Sequence, residues 1–149
     1  MKKRMKILLA ALAVMILAVL IGGDAYLSDY YHASDLAVEA MAVQEDGIQV
    51  EQDGSVTWFL PGEPTAGLIF YPGGMVVEDT AYAPLMRAFA ENGILCGLVK
   101  MPGNLAVLSP NAADGLQQAH PEITEWYIGS HSLGSAMAVS YAAKHAKEL

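Results

Sequence analysis

The 149-residue sequence predicts an α/β fold, with a mostly parallel sheet, helices on both of its faces, and an antiparallel hairpin before it. Two observations lead to this prediction. Three continuous apolar runs, typical of strands buried on both faces, alternate with patterns of helical spacing. Upstream, alternating β-formers flank Asp53-Gly54, which is the strongest short-range signal for a hairpin. Alternation of strand and helix implies parallel pairing through right-handed crossovers.

The chain begins with the basic segment MKKRMK, followed by an uncharged apolar run from Ile7 to Gly23. As a helix this run spans roughly 25 Å, short but usable for crossing a bilayer. We expect residues 1–23 to be a signal anchor that holds the protein in the membrane through residues 7–23. A cleaved signal peptide is the alternative, and a buried core helix is least favoured. The positive-inside rule places the body outside the cytoplasm, as a single-pass or a secreted protein.

The body divides into a juxtamembrane helix and linker, residues 24–45, and a partial α/β domain, residues 46–149. Continuous apolar runs predict the buried strands, and glycine or proline ends most elements. The predicted elements are a helix within 29–42, hairpin strands at 47–52 and 55–61, buried strands at 66–74, 94–102 and 125–129, and helices at 80–93, 111–122 and 133–149.

Two of the helices carry boundary signals. For the helix at 80–93, Thr80 is a possible N-cap, Pro84 fits the first turn, and Asn92-Gly93 is a stop signal. The helix at 111–122 is expected to end before Pro121, because the residue before proline avoids the helical region.

Composition excludes several classes of function. The chain has a net charge of −8, and its first six residues hold four of its eight basic residues, so the rest is strongly acidic. Such a body should not bind nucleic acid. The single cysteine, Cys96, excludes an internal disulfide and a cysteine-rich metal site. No two histidines have the spacing of metal ligands, so we predict neither a metal nor a cofactor.

The segment YIGSHSLGSAMA, residues 127–138, predicts a strand that runs through a sharp turn into a helix, with Ser132 at the apex. In a serine nucleophile elbow the backbone of the nucleophile is strained, so the residues two before and two after it must be small. Ser130 and Gly134 occupy these positions. The alternative is an ordinary strand-to-helix turn with a serine N-cap.

A second feature supports the elbow. The segment FYPGG follows the first buried strand, where an enzyme of this architecture places its oxyanion loop. Glycine at Gly73 and Gly74 lets a backbone N–H approach the site and pair with the N–H of Leu133, the residue after the nucleophile. An ordinary turn is the competing interpretation of these glycines.

Together, GLIFYPGG, AYAPLMRAFAENGILCGLVKMPGNLAVL and WYIGSHSLGSAMA resemble α/β-hydrolases related to dienelactone hydrolases. They are most similar to bacterial membrane-anchored members with YPGG, MP.NLA and GGHSLGG motifs, over roughly residues 26–149. The resemblance implies an α/β-hydrolase fold, a small-molecule acyl substrate, Ser132 as nucleophile, and an oxyanion hole from the Gly73-Gly74 loop and Leu133. Ser130 and Ser135 stand where this family has glycine.

The partners of a catalytic triad are not evident. The fold's chain order is serine, then an acid, then histidine, and only His145 and Glu148 follow Ser132 as candidates. His145 lies thirteen residues down the helix, about 20 Å away, and His131 is expected to frame the elbow. We therefore expect the chain to be the N-terminal part of a longer extracytoplasmic serine hydrolase, with the C-terminal strands missing. The alternative is a non-catalytic, membrane-anchored remnant or binding module.

Overall fold

The computed structural model describes residues 2–42, 47–74, 77–147 and 149. The chain forms two compact units, one up to Tyr30 and one from Tyr31 onward. Residues 43–46, which belong to the predicted linker and the start of the predicted domain, fall outside the described residues, as does Glu148.

The first unit is a single helix, α1, at Lys2–Ser28. Within Lys3–Tyr26, an 18-residue part of the helix has a mean hydropathy of 2.6, and the helix is long and apolar enough either to cross a membrane or to serve as a signal sequence. The helix continues past Gly22-Gly23, since glycine weakens a helix by only about 1 kcal/mol.

Helix α2 spans Asp35–Ala42, which is shorter than the predicted 29–42. Residues 29–34 are not helical because they pair elsewhere: Tyr31 bridges to Val77, and the Ala33 N–H donates to the Glu78 carboxylate at 3.0 Å. The helix starts where it does because the Ser34 hydroxyl accepts the Ala37 N–H at 3.3 Å, which is an N-cap bond.

Five strands form one mixed sheet in the order β1-β2-β4-β3-β5. The predicted hairpin and the three parallel strands are all present: β3 pairs in parallel with β4 and β5, and β2 runs antiparallel to β1 and β4. The hairpin loop is Gly54-Ser55, one residue later than predicted, because Asp53 pairs with Val56. The strands are β1 at Gln49–Asp53, β2 at Val56–Leu60, β3 at Ala66–Tyr71, β4 at Ile94–Val99 and β5 at Trp126–Ser130.

Helices cover both faces of this sheet, as predicted. Successive strand residues point to opposite faces, so Ile69 and Tyr71 of β3 join one apolar cluster and Leu68 and Phe70 join the other. The first cluster packs against helix α4, Leu133–Lys144, and the second packs against α2 and helix α3, Ala83–Ala90. The result is a three-layer α/β domain.

Helix α3 carries the two boundary signals that were expected at Pro84 and Gly93. Pro84 lies in its first turn, and Gly93, with φ of 79°, ends the helical segment in the left-handed region that glycine tolerates. The prediction that Thr80 is the N-cap is wrong. Residues 79–82 form a 3-10 turn before α3, and no side chain caps the start of α3.

The predicted helix at 111–122 is also wrong. This segment forms turns and a short 3-10 helix at Leu116–Ala119. Gly115 interrupts it with φ of 75°, which a right-handed helix excludes. The Tyr71 hydroxyl fixes the segment instead, because it accepts the Ala113 N–H at 2.9 Å and donates to the Pro110 carbonyl at 3.2 Å.

Candidate active site

Ser132 lies between the end of β5 and the first residue of α4, at the turn where the sequence places it. Its backbone has φ of 51° and ψ of −123°, a combination that L-residues rarely adopt. Such strain costs on the order of 1–3 kcal/mol and persists only where surrounding structure enforces it. The side chain is exposed, so a reacting group could approach it.

The main chain of β3 enforces this turn. Ser130 pairs with Tyr71 across the parallel ladder, and the N–H of His131 donates to the Tyr71 carbonyl at 3.1 Å. On the other side of the turn, a Cβ on Gly134 would lie 2.3 Å from the Pro72 carbonyl oxygen. Glycine is required at this position because the neighbouring atoms belong to backbone and cannot rotate away. The prediction that position 134 must be small therefore has a direct steric cause.

Ser130 and Ser135, the two positions where the sequence resemblance leads one to expect glycine, lie next to each other. The Ser130 hydroxyl donates to the Ser135 hydroxyl at 3.1 Å, joining the last residue of β5 to the first turn of α4. Both side chains are partly buried. Each serine therefore has a polar partner within the turn, and the strained residue between them keeps its conformation.

The glycine loop after β3 reaches the elbow, as the sequence predicts. A Cβ placed on Gly73 would lie 3.5 Å from the Ser132 Cβ, and one placed on Gly74 would lie 2.5 Å from the Leu133 Cδ2. The two glycines thus bring their backbone against the serine and the residue that follows it. Side chains at either position would occupy space already taken by the elbow.

The backbone N–H groups of this region differ in what they contact. Leu133 is the first residue of α4, so its N–H has no acceptor within the helix. The Gly73 N–H donates to the Tyr82 hydroxyl at 3.0 Å and is therefore engaged in this structure. The oxyanion donors expected from the sequence thus reduce to Gly74 and Leu133, and both remain predictions.

The sequence analysis did not identify Tyr82 as a site residue. Its hydroxyl, besides accepting the Gly73 N–H, lies 2.9 Å from the Nδ1 atom of His131. Tyr82 precedes His131 by 49 residues, so no local pattern links them. The nearby carboxyl of Asp79 is partly buried, and this burial raises its pKa, opposed by the positive charge of Lys100.

The four histidines of the chain all lie in described segments, and the structure assigns each a neighbour other than Ser132. His131 engages Tyr82. The other three meet acidic side chains: His32 near Glu78 at 3.6 Å, His120 near Glu122 at 3.2 Å, and His145 near Asp114 at 3.9 Å. His145 also stacks on Tyr141, and it follows the end of α4 opposite to Ser132.

Among the described residues, no group of three or more histidine, cysteine or carboxylate side chains could hold a metal ion. The elbow places the exposed Ser132 hydroxyl beside the Leu133 N–H at a helix start, an arrangement that could support covalent acyl chemistry.

The domain thus combines a mixed sheet, a strained serine turn between strand and helix, and a glycine loop beside that turn. A family model described as the alpha/beta hydrolase family matches residues 67–149, which is more than half of the chain and includes the loop and the elbow. A comparison with curated proteins finds no match. The chain belongs to the alpha/beta hydrolase family.

Proposed function

We propose that Ser132 is the nucleophile of a serine hydrolase that acts on an ester or a related acyl bond. The observation that carries this proposal is the backbone of Ser132, with φ of 51° and ψ of −123°. An N-cap serine normally has extended backbone and bonds to the helix N–H groups, whereas no such bond is made by Ser132. Strain of this kind is typical of functional turns and has no use in a plain connection.

The chemistry follows from the geometry. The Ser132 oxygen bonds to the acyl carbon while its proton passes to a general base, and the resulting oxyanion lies near the Gly74 and Leu133 N–H groups. The collapse of this intermediate expels the alcohol, which takes the proton from the base. Water then attacks the acyl carbon and gives a proton to the base. The second intermediate expels the Ser132 oxygen, which takes that proton back, and the acid is released.

A base and its acid partner are needed, and the four histidines of the chain are placed elsewhere. A histidine and an acid that are not assigned to Ser132 among the described residues would have to complete the triad. Helix α1 would anchor it in the membrane as an uncleaved signal, with the catalytic body outside the cytoplasm. The motifs favour a small acyl substrate of the kind handled by dienelactone-hydrolase relatives.

The test is labelling of the natural protein, in membranes of its source, with a serine-reactive fluorophosphonate. We expect the phosphonyl group on Ser132, located by fragmentation of the labelled peptide, and loss of the label in Ser132→Ala. The matched control is Ser130→Ala, two residues away in the same peptide, which should keep the label. Labelling that persists in Ser132→Ala would contradict the proposal.

A non-catalytic binding module is the second candidate, because no histidine is placed on Ser132 among the described residues. The intact mass of the native protein separates the two candidates. A mass well above 15.8 kDa, together with fluorophosphonate labelling, supports the hydrolase. A mass at or below 15.8 kDa, without labelling, supports the binding module.

A further inference from the structure

The Tyr82 hydroxyl joins the two segments that build the elbow. It accepts the Gly73 N–H of the glycine loop at 3.0 Å, and it lies 2.9 Å from Nδ1 of His131, the residue before Ser132. Gly73 and His131 come from different strand ends, β3 and β5. A single oxygen therefore ties the loop to the turn.

The hydrogen-bond capacity of a phenol accounts for both contacts. Its oxygen accepts the Gly73 N–H and retains one proton to donate. Nδ1 of His131 can take that proton when the imidazole carries its own proton on Nε2. In that tautomer the Gly73 N–H, the Tyr82 hydroxyl and Nδ1 of His131 all have a hydrogen-bond partner.

The Tyr82 ring is held independently of these bonds. It packs on Phe70 of β3 with ring centroids 5.3 Å apart, and it occupies the last position of the 3-10 turn that leads into α3. Because the ring is anchored to the sheet, its hydroxyl is a fixed point from which the loop and the turn are both positioned.

We infer that Tyr82 is a positioning residue of the proposed hydrolase: it holds the glycine loop against the elbow. By occupying the Gly73 N–H, it assigns the oxyanion role to the next amide, Gly74, which lies against Leu133. This inference rests on the proposed function. Tyr82 itself does not contact the reacting atoms in this scheme; it sets where the amide donors stand relative to Ser132.

The experiment compares Tyr82→Phe with the wild-type full chain in detergent micelles. Phenylalanine keeps the ring packing on Phe70 and removes only the hydroxyl. Nuclear magnetic resonance should show at least tenfold faster hydrogen exchange of the Gly73 amide and a changed nitrogen shift at Nδ1 of His131. The matched control is Tyr127→Phe, since Tyr127 also loses a hydroxyl bonded to a side chain, that of Glu125, away from the loop. An unchanged Gly73 amide in Tyr82→Phe overturns the inference.

The second readout is the rate of fluorophosphonate labelling at Ser132 in the natural protein. We expect Tyr82→Phe to slow it by about 10- to 100-fold, because donors displaced by an ångström lose much of their effect, and Tyr127→Phe to leave it unchanged. Equal labelling rates in the two variants overturn the positioning role. If the wild-type protein is not labelled, the proposed function fails. The hydrogen-exchange rate of the Gly73 amide in Tyr82→Phe then decides by itself whether Tyr82 holds the loop.

Discussion

The Ser130 hydroxyl donates to the Ser135 hydroxyl across the turn that carries Ser132, at 3.1 Å. One member of the pair ends β5 and the other lies in the first turn of α4. Neither serine is an isolated departure from glycine, because each supplies the hydrogen-bond partner that the other needs. The pair adds a side-chain link within a turn that is also held by main-chain contacts to β3 and by the contact of His131 with Tyr82.

The serine pair predicts energetic coupling. Ser130→Ala or Ser135→Ala alone should cost about 1 kcal/mol of unfolding free energy, since each leaves one partly buried hydroxyl unpaired. The double variant should cost little more than one of them. Thermal or chemical unfolding of the four proteins measures the coupling. As a control, the free-energy costs of Ser130→Ala and Ser140→Ala should add in the double variant, because Ser140 is exposed on α4. If the costs of Ser130→Ala and Ser135→Ala also add, the hydrogen bond between the two serines is contradicted.

Gly134→Ala should destabilise the domain by about 1–3 kcal/mol, because the new Cβ would lie 2.3 Å from the Pro72 carbonyl oxygen and force the helix away from β3. Gly62→Ala is the matched control, since nothing lies within 4 Å of a Cβ at that position. The midpoint of thermal unfolding compares the two variants. Equal midpoints would mean that α4 can accommodate a Cβ at position 134, contrary to the prediction.

Backbone strain at Ser132 predicts a reversed preference between glycine and alanine. Ser132→Gly should be more stable than Ser132→Ala by about 1 kcal/mol, because glycine adopts a positive φ without steric cost. At Ser140, inside α4, glycine should instead be less stable than alanine by about 1 kcal/mol. Unfolding free energies of the four variants measure both differences. The same sign at both positions would exclude strain at Ser132.

Tyr71 predicts a loss of stability in alkali. Burial raises its pKa from 10.0 to about 12, so the folded state favours the neutral phenol. This contribution is fully present below pH 10 and is lost as the pH rises through 12. Tyr71→Phe should cost about 1–3 kcal/mol at neutral pH, since the Ala113 N–H loses its acceptor, and should make the loss of stability between pH 10 and 12 shallower.

Unfolding free energies at several pH values test this prediction. Cys96, whose pKa burial also raises to about 12, is present in both proteins, so the difference between the two curves isolates Tyr71. Parallel curves would contradict the prediction.

The sequence was sufficient for the parts of the fold that depend on local patterns. The apolar runs that became β3, β4 and β5 are short, and this length together with their β-branched and aromatic residues favours strands over helices. The turn at Ser132 was also predictable, because the small residues that it requires are close to it in the sequence. Gly134 meets that demand directly.

The remaining features depend on contacts between distant residues. The segment at 111–122 has helical composition, but Gly115 and the bonds to Tyr71 give it turns instead. The insertion of β4 between β2 and β3 reflects pairing across the whole domain. Tyr82 carries no signal in its own neighbourhood, since its role comes from residues 9 and 49 positions away.

The contact of Gly134 with the main chain of β3 has a consequence for how this site can vary. The location of Ser132 is set by carbonyl and amide groups, which every amino-acid sequence possesses, and by one residue with no side chain. The side chains at Ser130 and Ser135 can therefore differ from glycine while the turn keeps its register with the sheet. Gly134 and the loop glycines Gly73 and Gly74 are the positions at which an added side chain would push the turn away from the sheet.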